Sequence, residues 1–217
     1  MGPNKKLFLS SLIILMSTIL MGQEIIDTRA KIILDELSKK TKSYSSIKAE
    51  FIFTIENKNK KEAEAQNGVI QVKGNKYKLE IKGQEVISDN KTVWTYLKDA
   101  NEVQINNVDS NSTDALNPST IFTLYEKGYK YKFDKEEGSI QIINLYPLNP
   151  DKKKFHTVKL TIEKTKKQIV NVKMLMKDGS IYTYNIKTFS PNVEIQDATF
   201  SFDAKSHPGV EVVDLRE

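Results

Sequence analysis

The stretch GVIQVKGNKYKLEI, residues 68–81, decides how the rest of the chain is read. Tyr77, Leu79 and Ile81 alternate with Lys76, Lys78 and Glu80, so one side is apolar and the other charged. A period of two belongs to an extended strand buried on one face and wet on the other, which favours an antiparallel sheet. Gly74-Asn75 interrupts the run, and both residue types accept the positive φ that a tight hairpin turn needs. The stretch therefore reads strand, turn, strand.

The same rhythm recurs along the chain. Ala49, Phe51, Phe53 and Ile55 keep it, as do Tyr129/Tyr131/Phe133, Val158/Leu160/Ile162, Val172/Met174/Met176 and Tyr182/Tyr184/Ile186. Gly83-Gln84, Asp89-Asn90 and Asp178-Gly179 supply further turn chemistry between candidate strands. Roughly ten to twelve strands follow, joined mostly by short turns, and no crossover helices are available for a parallel sheet. The economical arrangement is an antiparallel meander.

Two segments depart from the period of two. From Gln23 to about Lys42, Ile25, Ile26, Ala30, Ile33, Leu34 and Leu37 recur at helical spacing, with Lys31, Asp35, Lys39 and Lys40 opposite them. Later, Asn117 suits an N-cap, Pro118 a first helical position and Gly128 a C′ position. A short helix is expected at about 118–127, with Ile121, Phe122, Leu124 and Tyr125 as its apolar face. The run YPLNPDKKK, residues 146–154, reads as a long turn.

Composition excludes several classes of function. The chain has 217 residues and a net charge of +5, with lysines scattered on alternate positions rather than gathered in a patch, so nucleic acid is not an expected partner. Lys5 and Lys6 precede an apolar run from Leu7 to Met21 that ends at Gly22, which reads as a signal peptide over residues 1–22 and leaves one expected domain over 23–217. There is no cysteine, hence no disulfide and no attachment point for the lipid of a bacterial lipoprotein. His156 and His207 have no spaced partners, no glycine-rich phosphate loop is present, and no serine sits in a nucleophile elbow. No enzyme, metal or cofactor is expected.

Geometry points to a cavity. Strands ~4.8 Å apart make a sheet of about eleven strands roughly 50 Å wide, which must curl. Two helices, each about 10 Å across, are too few to fill its apolar face. A lining of Phe51, Phe53, Leu79, Ile81, Trp94, Tyr96, Met174 and Met176 would suit acyl chains, because methionine and aromatic side chains conform to irregular apolar shapes. Plain core packing is the competing role for each of these residues. For Trp94 the phase is open, since Val93 and Leu97 compete with Trp94 and Tyr96 for the buried side.

The order of parts resembles one family. ISDNKTVWTYLKDANEVQI (87–105), a polar loop into NPSTIFTLYEKGY (117–129), MLMKDGSIYTYNI (174–186), ATFSF (198–202) and HPGVEVVDLRE (207–217) resemble the LolA family of periplasmic outer-membrane lipoprotein carriers. KAEFIFTI (48–55) and the 68–81 hairpin fit the same order. The resemblance implies a curved, half-open antiparallel β-barrel whose N-terminal helix and inserted lid helix cover an apolar cavity. It implies a monomeric carrier that takes lipoprotein acyl chains from an inner-membrane ABC transporter of the LolCDE type and passes them to the outer membrane, in some cases through a LolB-like acceptor. A general lipid-binding or envelope-sensing module on the same half-barrel is the alternative. Two positions depart from the pattern: Asn90 stands where glycine is common, and Lys73-Gly74-Asn75 replaces an Arg-Pro whose arginine helps hold the lid. No latch residue is therefore carried over.

Overall fold

The computed structural model describes residues 27–57, 64–108 and 128–216. The expected signal peptide and the expected lid helix, with Ile121, Phe122, Leu124 and Tyr125, lie outside the described residues. One helix, α1 (Thr28–Lys42), is followed by β1 (Ile47–Glu56), β2 (Glu64–Lys73), β3 (Lys76–Ile81), β4 (Gln84–Ser88), β5 (Thr92–Leu97) and β6 (Glu102–Asn107). After the undescribed segment come β7 (Tyr129–Glu137), β8 (Ile140–Pro147), β9 (Phe155–Glu163), β10 (Gln168–Met176), β11 (Ile181–Pro191) and β12 (Glu211–Asp214).

All twelve strands form one curved, open sheet in the order β12-β6-β5-β4-β3-β2-β1-β11-β10-β9-β8-β7. It is two antiparallel meanders, β1–β6 and β7–β11, joined where β1 pairs with β11 over Ile47↔Pro191 to Glu56↔Ile181. β7 and β12 end the sheet and do not meet, so the barrel is half-open. The count agrees with the alternation, and one pairing does not: β12 runs parallel to β6, reached by a crossing of residues 192–210. Asn90 adopts φ +79°, so asparagine serves at this turn in the left-handed region it tolerates.

A single apolar face carries the main core. Ala30, Leu34 and Leu37 of α1 are buried against it with Ala49, Phe51, Ile70, Ile143, Leu145, Val158, Leu160 and Val172. Cross-strand neighbours share a face, and the register runs through these residues without a phase error: Phe51 faces Gly68, Ile70 faces Leu79, Val172 faces Leu160 and Leu160 faces Ile143. Gly68 is required by one close approach. A Cβ there would collide with the Phe51 ring, which covers the bare backbone.

The helix is fastened at both ends. Asp27 is its N-cap, accepting the Ala30 N–H at 2.9 Å, and its second oxygen accepts the Phe133 N–H of edge strand β7 at 2.7 Å. Arg29 lies 3.7 Å over the Phe133 ring and pairs with Glu136. At the other end Lys40 donates to the Lys166 carbonyl, and Glu36 pairs with Lys167 in the β9–β10 turn. The helix thus occupies the β7 edge, a position that also keeps other strands from pairing there.

Two outcomes test this packing. Gly68→Val is expected to displace Phe51 and lower stability by about 1–3 kcal/mol in urea unfolding, as overpacked sites do. The backbone N–H groups of Ala30 and Phe133 hold Asp27 below its ordinary range, and Lys164, Gln141 and Arg29 bring Glu136 down to about 2 from 4.5. A depressed carboxyl pKa stabilises above the ordinary value and loses that contribution as the pH falls through the folded one. The protection of the Ala30 and Phe133 amides, taken relative to the intrinsic exchange rate at each pH, should therefore fall as the pH drops below Asp27's ordinary 3.8, before that of the central strands does.

Candidate functional site

The helix covers only part of the face it sits on. Beyond it, Phe53, Leu79, Ile81 and Val86 are half-buried and pack on the margin of the core. Register extends this face outward from β3: Leu79 faces Val86, Val86 faces Thr95, and Val93 and Leu97 keep the same phase. The result is an apolar surface that runs from the helix across β1–β5 with no helix over its second half among the described residues.

Its floor at the β1–β11 seam is aromatic. The Phe53 ring stacks on Tyr184 at 4.8 Å and meets Tyr182 edge-on at 5.7 Å, while Phe51 lies 5.8 Å from Tyr184. Such offset and edge contacts hold rings in place without polar anchors. Burial disfavours the charged phenolate: it pushes Tyr129 and Tyr184 up to about 12, and raises Tyr77 too. Around Tyr77 and Tyr184 the described part of this surface is thus apolar in composition and unfavourable to charge. It suits a ligand recognised by its hydrocarbon.

Of the eight residues expected to line a cavity, six share this face. Phe51, Met174 and Met176 lie in the buried core, at 4%, 4% and 9% exposure, so they form its foundation; Phe53, Leu79 and Ile81 form its accessible margin. Trp94 and Tyr96 are the correction. Trp94 faces Ile87, which faces Lys78, so the tryptophan points to the opposite side of the sheet from Leu79. Val93 and Leu97 take the places expected of Trp94 and Tyr96.

The outward face has its own cover, the C-terminal segment. Lys73 donates to the Ile195 carbonyl and pairs with Asp197, each at 3.0 Å, and Lys76 also pairs with Asp197. Tyr96 packs on Phe202 and His207 at 5.4 and 4.7 Å, and its hydroxyl donates to Asn101 Oδ1. Asn101 in turn donates to the Pro208 carbonyl. Ile87 and Val103 share this side and are buried. Lys73 is thereby committed to the side away from the helix.

This geometry agrees with the comparisons. The family model for the outer membrane lipoprotein carrier protein LolA matches residues 42–203. The chain belongs to that family. No curated protein matches the sequence. Among solved structures, an uncharacterized conserved protein from Thermus thermophilus superposes with a TM-score of 0.56 at 13% identity, over 86% of this chain and 99% of that one. A LolA superfamily protein from Nitrosomonas europaea aligns at 10% identity and a TM-score of 0.48, over 81% of this chain and 98% of the other. The first of these supports the fold.

The face assignment carries an optical consequence. Emission from Trp94 is expected to stay constant when an apolar probe occupies the helix-covered face, whereas Val93→Trp in a Trp94→Phe background should respond. Alkaline titration followed by tyrosine absorbance should show Tyr129 and Tyr184 ionising near 12. Their folded pKa lies above the ordinary 10, so stability falls as the pH rises from 10 toward about 12.

Proposed function

We propose that this protein carries lipoproteins across the periplasm, holding their acyl chains on the uncovered half of the apolar face. The observation that carries the reading is the continuation of one apolar surface from the α1 core through Phe53, Leu79, Ile81 and Val86, with no charged group among them. Membership of the carrier family supports it. The cargo would be loaded at an inner-membrane ABC transporter of the LolCDE type and unloaded at the outer membrane or a LolB-like acceptor.

The work is thermodynamic. Sequestering an acyl chain from water stabilises by ~0.8 kcal/mol per CH₂, so a chain of about fifteen carbons represents roughly 12 kcal/mol. A carrier must shield that surface in transit and still release it. A shallow face of partly exposed side chains meets both demands better than a closed pocket, because binding stays moderate while aggregation is prevented. The aromatic floor keeps its shape through ring–ring contact when the face empties.

Spheroplasts with labelled lipoproteins are expected to shed them into solution when the purified protein is added. Phe53→Asp with Leu79→Asp should lower release about tenfold, the effect of roughly 1.4 kcal/mol of lost binding, with the fold intact by circular dichroism. Mass spectrometry of copurifying material decides between readings. Lipoprotein supports the carrier; free phospholipid or glycolipid alone would establish the general lipid-binding module in its place.

A further inference from the structure

The helix-covered face changes character from one side of the sheet to the other, and the register shows where. One row of facing residues crosses six strands as Ala49, Ile70, Leu79, Val86, Thr95 and Gln104. The rows on either side of it leave the same core and reach β6 at Asn106, through Val93, and at Glu102, through Leu97. On β4 these two rows pass through Ser88 and Gln84, and the buried Ser88 hydroxyl accepts the Asn90 N–H of its own turn. All three rows end on β6 in a polar side chain. Glu102, Gln104 and Asn106 are half-buried, and the Gln104 amide donates to the Glu102 carboxylate at 2.8 Å.

This stripe is not the ordinary wet margin of a sheet. β6 is an inner strand, because β12 pairs along it and brings Glu211 and Val213 to the same side. Asparagine and glutamate are depleted in strands, so strand formation itself does not call for them here. The stripe adjoins the apolar margin at Leu79, three strands away, or roughly 14 Å along the sheet. A surface graded in this way has a direction. Hydrocarbon is stabilised toward α1, whereas an ester or amide group placed on apolar surface without a partner is destabilised and settles where side-chain amides can pair with it.

We propose that the β6 stripe holds the polar junction of a bound lipoprotein, the ester and amide groups that join its acyl chains to its peptide. The chains then run from β6 toward α1, and the peptide leaves over β12. This orientation rests on the reading that the face binds acyl chains. Gln104 and Asn106 each carry an amide donor and an amide acceptor, which match groups of this kind whatever the sequence of the cargo.

The probe is a palmitoyl amide carrying a nitroxide either beside its head or at its chain end. Two reporters are set in a Trp94→Phe background. Val93→Trp lies next to the stripe on β5, and Phe53→Trp lies on β1, four strand spacings or roughly 19 Å away along the sheet. The head nitroxide should quench the Val93→Trp reporter more strongly, and the chain-end nitroxide the Phe53→Trp reporter. Gln104→Leu with Asn106→Leu should weaken binding of the amide about tenfold and that of an alkane of equal length by less than about twofold, with the fold intact by circular dichroism. Equal quenching at both reporters, the reversed pattern, or an equal loss for the alkane would overturn the proposal. If neither probe binds, the acyl-binding reading falls with it. Lipoprotein release from spheroplasts without the graded quenching strikes the orientation alone.

Discussion

The pairing of β1 with β11 is the constraint on which the rest of the structure depends. It joins two meanders that are otherwise independent hairpin stacks, and it does so between segments more than a hundred residues apart. Ala49, Phe51 and Phe53 stand at that seam, so the core and the aromatic floor are built on the same strand. The register shift between Glu50 and Phe51 leaves an extra residue on β11, and bulges of this kind add the local twist that a curling sheet needs. Curvature, core and floor are thus set by a single long-range contact.

A second consequence concerns coverage. One helix, fastened by Asp27 and Arg29 at one end and by Lys40 and Glu36 at the other, sits over the β7 side of the sheet. It seals Ile143, Leu145 and Leu160 completely and leaves Leu79, Ile81 and Val86 partly open. The asymmetry is physical: a sheet of twelve strands at ~4.8 Å is several helix diameters wide. What the outward face receives is a different kind of cover, short turns and a parallel strand held by Lys73, Asn101 and a cluster of Tyr96, Phe202 and His207.

Much of this was legible in the sequence wherever one face is buried and the other wet. Tyr77-Lys78-Leu79-Glu80-Ile81 alternates in composition, and its strand, face and turn followed directly. The phase of Trp94 is open in the sequence because that condition fails on β5. Both sides of this strand are partly shielded, every residue from Thr92 to Leu97 is half-buried, and apolar residues occupy both phases, so periodicity carries no sign. Only the register to Ile87 and Lys78 resolves it. β12 was hidden for another reason: Glu211–Asp214 is four residues long, its parallel partner lies more than a hundred residues upstream, and nothing local records that pairing.

The seam also imposes an order on biogenesis. A chain emerges from its N-terminus, so β1 can pair with β2 at once but must wait for β11 to close its other side. Through most of synthesis, Phe51 and Phe53 therefore sit on a strand with one open edge, flanked by apolar surface that the finished protein holds together. Such an edge is a template for other chains. By this topology the growing chain itself needs protection until β11 has appeared.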